Sequence, residues 1–144
     1  MATAFVPARA QDASPTIRGF VYQANLSLLR WLNLNDGGAL ELECGEDIDH
    51  VARTLVGVGP AEPLREVEQR LLEQIKHLDR NVTLRTTAVL KALAAFHAQR
   101  AKNTSLALSC RFTTNAKDGV ERPRAIRKAA VSGIALWKAL RTNA

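Results

Sequence analysis

The chain has 144 residues, of which 47% are hydrophobic and 24% are charged, values ordinary for one folded soluble domain with a real core. No apolar run approaches the length of a membrane span, and the first residues lack the charged and then apolar pattern of a secretory signal. Two cysteines, Cys44 and Cys110, are too few for a disulfide framework, so a reducing cytoplasm is the simplest compartment.

The formal net charge of +6 is distributed unevenly along the chain. Residues 1–63 contain four arginines and no lysine against eight acids, a balance of −4. Residues 64–144 contain sixteen lysines and arginines against six acids, a balance of +10. Five acids lie between Glu41 and Asp49. This division suits a metal site beside a polyanion groove, although such charges also serve simply to solvate a surface.

The chain is expected to begin with a flexible segment at residues 1–13, followed by one domain at 14–144. Ser14 is a good helix N-cap and Pro15 fits a first helical turn, so a first helix should start there. Its large apolar residues predict one stripe along the helix: Ile17, Phe20, Val21, Ala24, Leu28, Trp31 and Leu32. Gly19 costs about 1 kcal/mol relative to alanine in this helix, which predicts close backbone packing or a ligand passing nearby.

Two strands are expected next, and the first of them alternates between apolar and polar residues. Residues 39–44 predict a first strand that carries Glu41 and Glu43 on one face. A second strand is expected to start in the acidic segment and to continue over residues 47–56. Glycine and proline then predict a loop at 57–63.

The segment from Arg70 to Leu78 has two interpretations. Its period locally favours a helix, because a series of apolar residues falls at steps of three and four: Leu64, Val67, Leu71, Ile75 and Leu78. As a strand, the same segment would place Gln74 and Lys76 on one face. The rest of the chain favours the strand over residues 71–77, because sheet context overrides local propensity.

The remaining elements are a helix, a strand and a last helix. The chain's second helix is expected to lead from residues 83–87 to Lys102. The strand at 106–112 has an alternating apolar face. The last helix is expected to begin near Pro123, with Trp137 on its apolar side. Basic residues follow along it: Arg124, Arg127, Lys128, Lys138 and Arg141. Because its apolar stripe still needs cover, we expect the chain to be the N-terminal fragment of a larger protein.

Four short motifs occur in a fixed order. They are Gly19-Phe20-Val21-Tyr22-Gln23, Glu43-x-x-Glu46-Asp47-Ile48, Gln74-Ile75-Lys76 and Phe112-Thr113-Thr114-Asn115. Together they resemble the PD-(D/E)xK nuclease superfamily and, within it, the dsDNA endonuclease domain associated with bacterial CBASS anti-phage defence, which also heads some antiviral STAND ATPases. The resemblance implies an α/β fold with a restriction-endonuclease-like core, in which helices flank a mixed central sheet.

The resemblance also implies a metal site. The superfamily's acidic residue falls on Asp47, with Asp49 as the competing choice, and its metal-binding and lysine positions fall on Gln74 and Lys76. With the backbone carbonyl of Ile75, the Asp and Gln oxygens would hold Mg²⁺ or Mn²⁺. Lys76 would orient or activate a water and offset charge on the phosphate.

Gln74 is a departure, because the superfamily more commonly has Glu there, and the site loses one negative charge. Glu43 either supplies that charge or is a solvated strand residue. The implied function is a metal-dependent dsDNA endonuclease in the bacterial cytoplasm, with little sequence specificity, controlled by sensor or ATPase domains of the full-length protein. The competing interpretation is a non-catalytic basic α/β module that binds nucleic acid or a partner subunit. Convergence of the Asp47, Gln74 and Lys76 side chains would distinguish the two interpretations. The sequence does not determine the oligomeric state, and a homo-oligomer is one of the alternatives.

Overall fold

A computed structural model describes residues 13–57, 65–121 and 131–142, in which each run of strands is bounded by helices. In chain order the elements are α1 (Ser14–Leu32), β1 (Gly38–Leu42), β2 (Ile48–Val56), β3 (Arg65–Lys76), α2 (Thr87–Lys102), β4 (Ala107–Thr114), β5 (Val120–Glu121), β6 (Val131–Ser132) and α3 (Gly133–Thr142). Residues 1–12 of the expected N-terminal segment lie outside the described part of the chain. None of the described helices is long and apolar enough to cross a membrane.

The four longer strands form one mixed sheet in the order β1-β2-β3-β4. β2 pairs antiparallel with both β1 and β3, whereas β3 and β4 are parallel and are connected through α2. Glu73 of β3 contacts α1, and the preceding residue Leu72 packs against α2, so the two helices cover opposite faces of the sheet. The expected α/β architecture, a mixed sheet flanked by helices, is therefore confirmed.

β3 is a strand of twelve residues despite its helix-like period. It pairs with β2 from Arg65 to Glu73 and with β4 from Gln69 to Lys76. These ladders hydrogen-bond the backbone of β3 along both edges. A helix at this position would leave the facing backbone N–H and C=O groups of β2 and β4 without partners. The prediction of a strand at residues 71–77 is thus confirmed as far as Lys76.

The main apolar core lies between α2 and the sheet. Leu72 of β3 is buried there against Ala92 and Phe96 of α2. The apolar face of β4 closes the cluster with Leu108, Cys110 and Phe112. The alternation predicted for this strand is therefore confirmed, since its apolar residues face the helix. Both cysteines are free thiols.

α1 lies on the sheet with its polar side inward, which its apolar stripe did not indicate. Phe20 is 71% exposed and Trp31 is 62% exposed. Arg30 lies on the inner side and forms a two-point ion pair with the buried Glu73, and this contact fixes how the helix is rotated. The close packing expected at Gly19 is wrong for the described residues, because outside the backbone of α1 itself and the two chain neighbours they place no atom within 4 Å of a Cβ built at that position.

The start of the last helix also differs from the sequence-based expectation. A helix beginning near Pro123 cannot continue into α3, because β6 pairs with β5 immediately before Gly133. Asp118 stabilises the start of α3 at Gly133 by accepting hydrogen bonds from the Ser132 hydroxyl and the Ile134 backbone N–H. Pro123 itself, with the residues up to β6, lies outside the described part of the chain.

Candidate functional site

A polar cluster forms where β2 begins and β3 ends. The antiparallel register places Asp47, just before β2, beside Gln74 of β3. Asp47 Oδ2 accepts hydrogen bonds from the Gln74 side-chain amide at 2.5 Å and from the Ile75 backbone N–H at 2.6 Å. Lys76 Nζ lies 3.5 Å from the same oxygen. The three side chains that the sequence singled out therefore meet at one carboxylate.

Strand geometry explains this convergence. Gln74 and Lys76 are two residues apart in β3, so both side chains lie on the sheet face that α2 covers. The Lys76 side chain is 42% exposed and that of Asp47 is 18% exposed, so the cluster is open to solvent on one side. An incoming metal ion would compete with these donors for the Asp47 oxygen, and a phosphate would compete with Asp47 for the Lys76 ammonium.

The donor set fits a hard divalent cation after one rotation. Carboxylate and amide oxygens are ligands that Mg²⁺ accepts, together with several waters. Gln74 presents its amide nitrogen to Asp47, and half a turn about the Cγ–Cδ bond would put its oxygen there instead. In the described ranges, no three His, Cys, Asp or Glu side chains form a group that could hold a metal ion. The side-chain oxygens that could meet a cation at the end of β3 are those of Asp47 and, after this rotation, Gln74.

Asp49 has a structural environment separate from this cluster. Its side chain is 1% exposed, accepts the Glu46 backbone N–H at 3.2 Å and lies 3.7 Å from the Arg70 guanidinium. A Cβ at Gly45 would lie 2.8 Å from Asp49 Oδ2, so the turn before β2 is built closely around this carboxylate. Of the two acids left open by the sequence, Asp47 is the one that contacts Gln74 and Lys76.

The two glutamates of the same turn differ in their relation to Asp47. Glu43 adopts a φ of 57°, and its backbone N–H donates to the Asp47 carbonyl at 3.4 Å. Its side chain is exposed, and within the described ranges no hydrogen bond or ion pair joins it to Gln74 or Lys76. Burial raises the pKa of Glu46, and the nearby charge of Asp47 raises it further. Glu46 is thus a nearby acid to which sequence reasoning gave no role, although it belongs to the motif Glu43-x-x-Glu46-Asp47-Ile48.

A second polar cluster, centred on Glu73, lies on the opposite face of β3 and was not predicted. Arg30 donates from Nε and Nη2 to the two carboxylate oxygens, each at 2.9 Å. Thr113 Oγ1 donates to the same carboxylate at 2.5 Å, and His50 Nε2 lies 3.1 Å from it. Arg111 Nη1 is 3.7 Å away. Glu73 therefore joins α1, β2 and β4 to β3, one residue before Gln74.

These contacts control the ionisation of Glu73. Burial raises its pKa, but the hydrogen bonds from Arg30, Thr113 and His50 together outweigh burial and lower the pKa to about 2. The carboxylate is consequently ionised throughout the neutral range. Burial, and then the negative charge of Glu73, raise the pKa of Tyr22 on α1.

No protein-family model, curated protein or solved structure matches the chain. These comparisons favour neither the superfamily resemblance nor its rival. The assignment of function therefore depends on the chain's own residues.

Proposed function

We propose that the chain is a metal-dependent DNA endonuclease domain with a restriction-endonuclease-like core, acting as the effector of a bacterial anti-phage defence protein. The observation that carries the proposal is the meeting of Asp47, Gln74 and Lys76 at one carboxylate oxygen, partly open to solvent. A binding module has no need to hold an acid, an amide and an ammonium together at the ends of two strands.

The reaction is hydrolysis of a phosphodiester, which requires a hydroxide near neutral pH and stabilisation of the charge developing on the phosphate. A divalent cation, Mg²⁺ or Mn²⁺, supplies both when bound. Asp47 and Gln74 would hold it through their side-chain oxygens, and the Ile75 carbonyl is the backbone ligand that the superfamily resemblance implies. Lys76 would place its ammonium against the phosphate and stabilise the negative charge of the transition state.

The proposed substrate is double-stranded DNA with little sequence preference. The net charge of +6, and the balance of +10 over residues 64–144, favour a polyanionic partner. No element in the described residues presents a row of side chains suited to reading base edges. Control by sensor or ATPase domains of a larger cytoplasmic protein belongs to the same proposal.

Plasmid cleavage in Mg²⁺, with and without EDTA, tests the proposal in the full-length, activated protein. Lys76→Ala should lower the cleavage rate by about 10²–10³-fold while fold and DNA affinity stay nearly unchanged, because the ammonium acts on developing charge. Lys76→Arg should restore little activity, since a planar guanidinium does not replace a compact ammonium. Lys91→Ala, on the exposed side of α2, is the matched control. Cleavage by Lys76→Ala at the wild-type rate would refute the assignment.

The rival function, a non-catalytic basic module that binds nucleic acid or a partner subunit, is favoured by one observation. Gln74 donates its amide nitrogen to Asp47, an arrangement that is complete without a metal. Asp47→Asn separates the two proposals. In the nuclease it should abolish cleavage by weakening metal binding, with partial recovery in excess Mg²⁺. In a binding module it should change neither DNA affinity nor its response to Mg²⁺.

A further inference from the structure

A cavity of about 680 Å³ lies between β4, α2 and α3, on the same side of the sheet as the Asp47 cluster. This volume lies within the range of sites that hold small molecules, about 300–1,000 Å³. Its walls are largely apolar and include the aromatic rings of Phe96, Phe112 and Trp137. Trp137 is 41% exposed, so its ring is accessible to an occupant.

Three cations from three different elements line the cavity: Arg100 in α2, Lys117 after β4 and Arg141 in α3. Within the described ranges none of them forms an ion pair with a carboxylate. Asp118 also lines the cavity, and its hydrogen-bond donors at the start of α3 are the neutral Ser132 hydroxyl and Ile134 backbone N–H. The three cations thus exceed this carboxylate, and a net positive charge beside the aromatic wall favours an anionic occupant that carries a flat ring.

The cavity adjoins the proposed active site through the register of the sheet. In the parallel ladder, Phe112 of β4 pairs with Gln74, and Thr114 pairs with Lys76. Paired residues point to the same face, and neighbouring strands are about 4.8 Å apart. Phe112 and Thr114 both line the cavity. Its wall thus begins one strand away from the Lys76 ammonium.

We propose that this cavity receives one unpaired nucleotide of the DNA strand whose phosphate lies at Lys76. The base packs against Trp137, and adjoining phosphates contact Arg100, Lys117 and Arg141. Aromatic faces combined with cations are how proteins hold single-stranded nucleic acid without reading its sequence. The inference rests on the proposed nuclease function and adds that one base leaves its stack at the cut, because a base reaches the ring only when it is extruded from the duplex or already unpaired.

Two fluorescein-labelled probes test the proposal: a thymidine octamer and the same octamer with abasic units, which keeps the phosphates and removes the bases. In EDTA, where no hydrolysis occurs, the wild-type protein should bind the thymidine octamer about 5- to 150-fold more tightly than the abasic octamer. Trp137→Leu should remove this preference, and Arg141→Gln should weaken both probes. Lys91→Gln makes the same charge change outside the cavity and should have a smaller effect than Arg141→Gln.

A second measurement, the fluorescence of Trp137, does not depend on whether the Trp137→Leu variant folds. The chain has two tryptophans, so Trp31→Phe leaves Trp137 as the only source of tryptophan fluorescence. Its fluorescence should be quenched by the thymidine octamer and not by the abasic one. Equal affinity for both octamers, or tighter binding of free thymidine monophosphate than of the octamer, would overturn the inference.

The inference and the nuclease proposal fail separately. A protein that prefers the thymidine octamer but never cleaves plasmid in its activated, Mg²⁺-supplied form would refute the nuclease and keep a nucleotide cavity. A protein that cleaves, and whose cleavage is lost in Lys76→Ala, but that shows no preference between the octamers would keep the nuclease and refute the cavity.

Discussion

Glu73 should make the stability of the protein sensitive to acid. Its pKa is about 2 in the folded protein, against an ordinary value of 4.5. Because the pKa of Glu73 is lower in the folded than in the unfolded protein, its ionised carboxylate stabilises the fold at pH values above about 4.5. This stabilisation is lost as pH falls from about 4.5 towards 2. We expect the free energy of unfolding of the wild type to fall by about 2–3 kcal/mol more than that of Glu73→Gln across this window.

Urea denaturation of the two proteins at about pH 5 and about pH 2.5 measures this difference. Other carboxylates titrate in the same range, so only the difference between the wild type and Glu73→Gln reports on Glu73. At neutral pH the variant should already be less stable by about 2–4 kcal/mol, because Arg30 loses its buried partner. Parallel pH profiles for both proteins would show that the Arg30–Glu73 pair contributes little.

Two glycines with opposite surroundings give a matched pair of alanine substitutions. At Gly45 a Cβ would lie 2.8 Å from Asp49 Oδ2 and 3.2 Å from the Leu72 side chain, and both groups are buried. Gly45→Ala should therefore lower the free energy of unfolding by about 1–3 kcal/mol. At Gly19, in α1, the space is open, and Gly19→Ala should raise it by up to about 1 kcal/mol. Chemical denaturation measures both, and equal effects would contradict the described packing.

Among the helices, α1 and α2 should differ sharply in what their phenylalanines contribute. Phe96 of α2 is 7% exposed within the core, and Phe20 of α1 is 71% exposed. Phe96→Ala should cost about 3–5 kcal/mol of stability, whereas Phe20→Ala should change it by less than about 0.5 kcal/mol. Denaturation midpoints of the two variants test this difference. A large loss in Phe20→Ala would mean that the apolar side of α1 is covered in solution.

β3 serves both polar clusters because consecutive residues of a strand point to opposite faces. Glu73 points to α1, where five donors and cations surround it, and Gln74 points to α2 beside Asp47. The buried Glu73 fixes the strand position immediately before the residues proposed to act on DNA. A rigid strand anchored in this way can hold Gln74 and Lys76 in place more accurately than a loop can.

For the molecule as a whole, the net charge predicts salt-dependent DNA binding. Arg100, Lys117 and Arg141 are the three cations that line the cavity beside the proposed site. Three phosphate contacts would give a slope of log affinity against log salt concentration of about −2 to −3. Arg141→Gln should make the slope less negative by about 1. Fluorescence anisotropy across a salt series measures this, and salt-insensitive binding would favour the protein-interaction module.

Local sequence patterns predicted much of the secondary structure and the shared face of Gln74 and Lys76, whereas Asp47 was singled out through the superfamily resemblance. Alternation in β4 and the two-residue spacing of Gln74 and Lys76 are properties of neighbouring side chains, so they can be read without a fold. The same reasoning left Asp47 and Asp49 as alternatives, because both lie in one acidic segment. Only the register of β2 against β3 shows which of them meets Gln74.

The tertiary structure alone decided the orientation of α1, the role of Glu73 and the start of α3. The Arg30–Glu73 pair joins residues 43 positions apart, and its strength in a buried site outweighs the apolar stripe in setting which side of α1 faces the sheet. Asp118 likewise determines where α3 begins through contacts 14 and 16 residues away. Helical and strand periods are local, whereas the partner of a buried charge depends on which distant segments the sheet brings together.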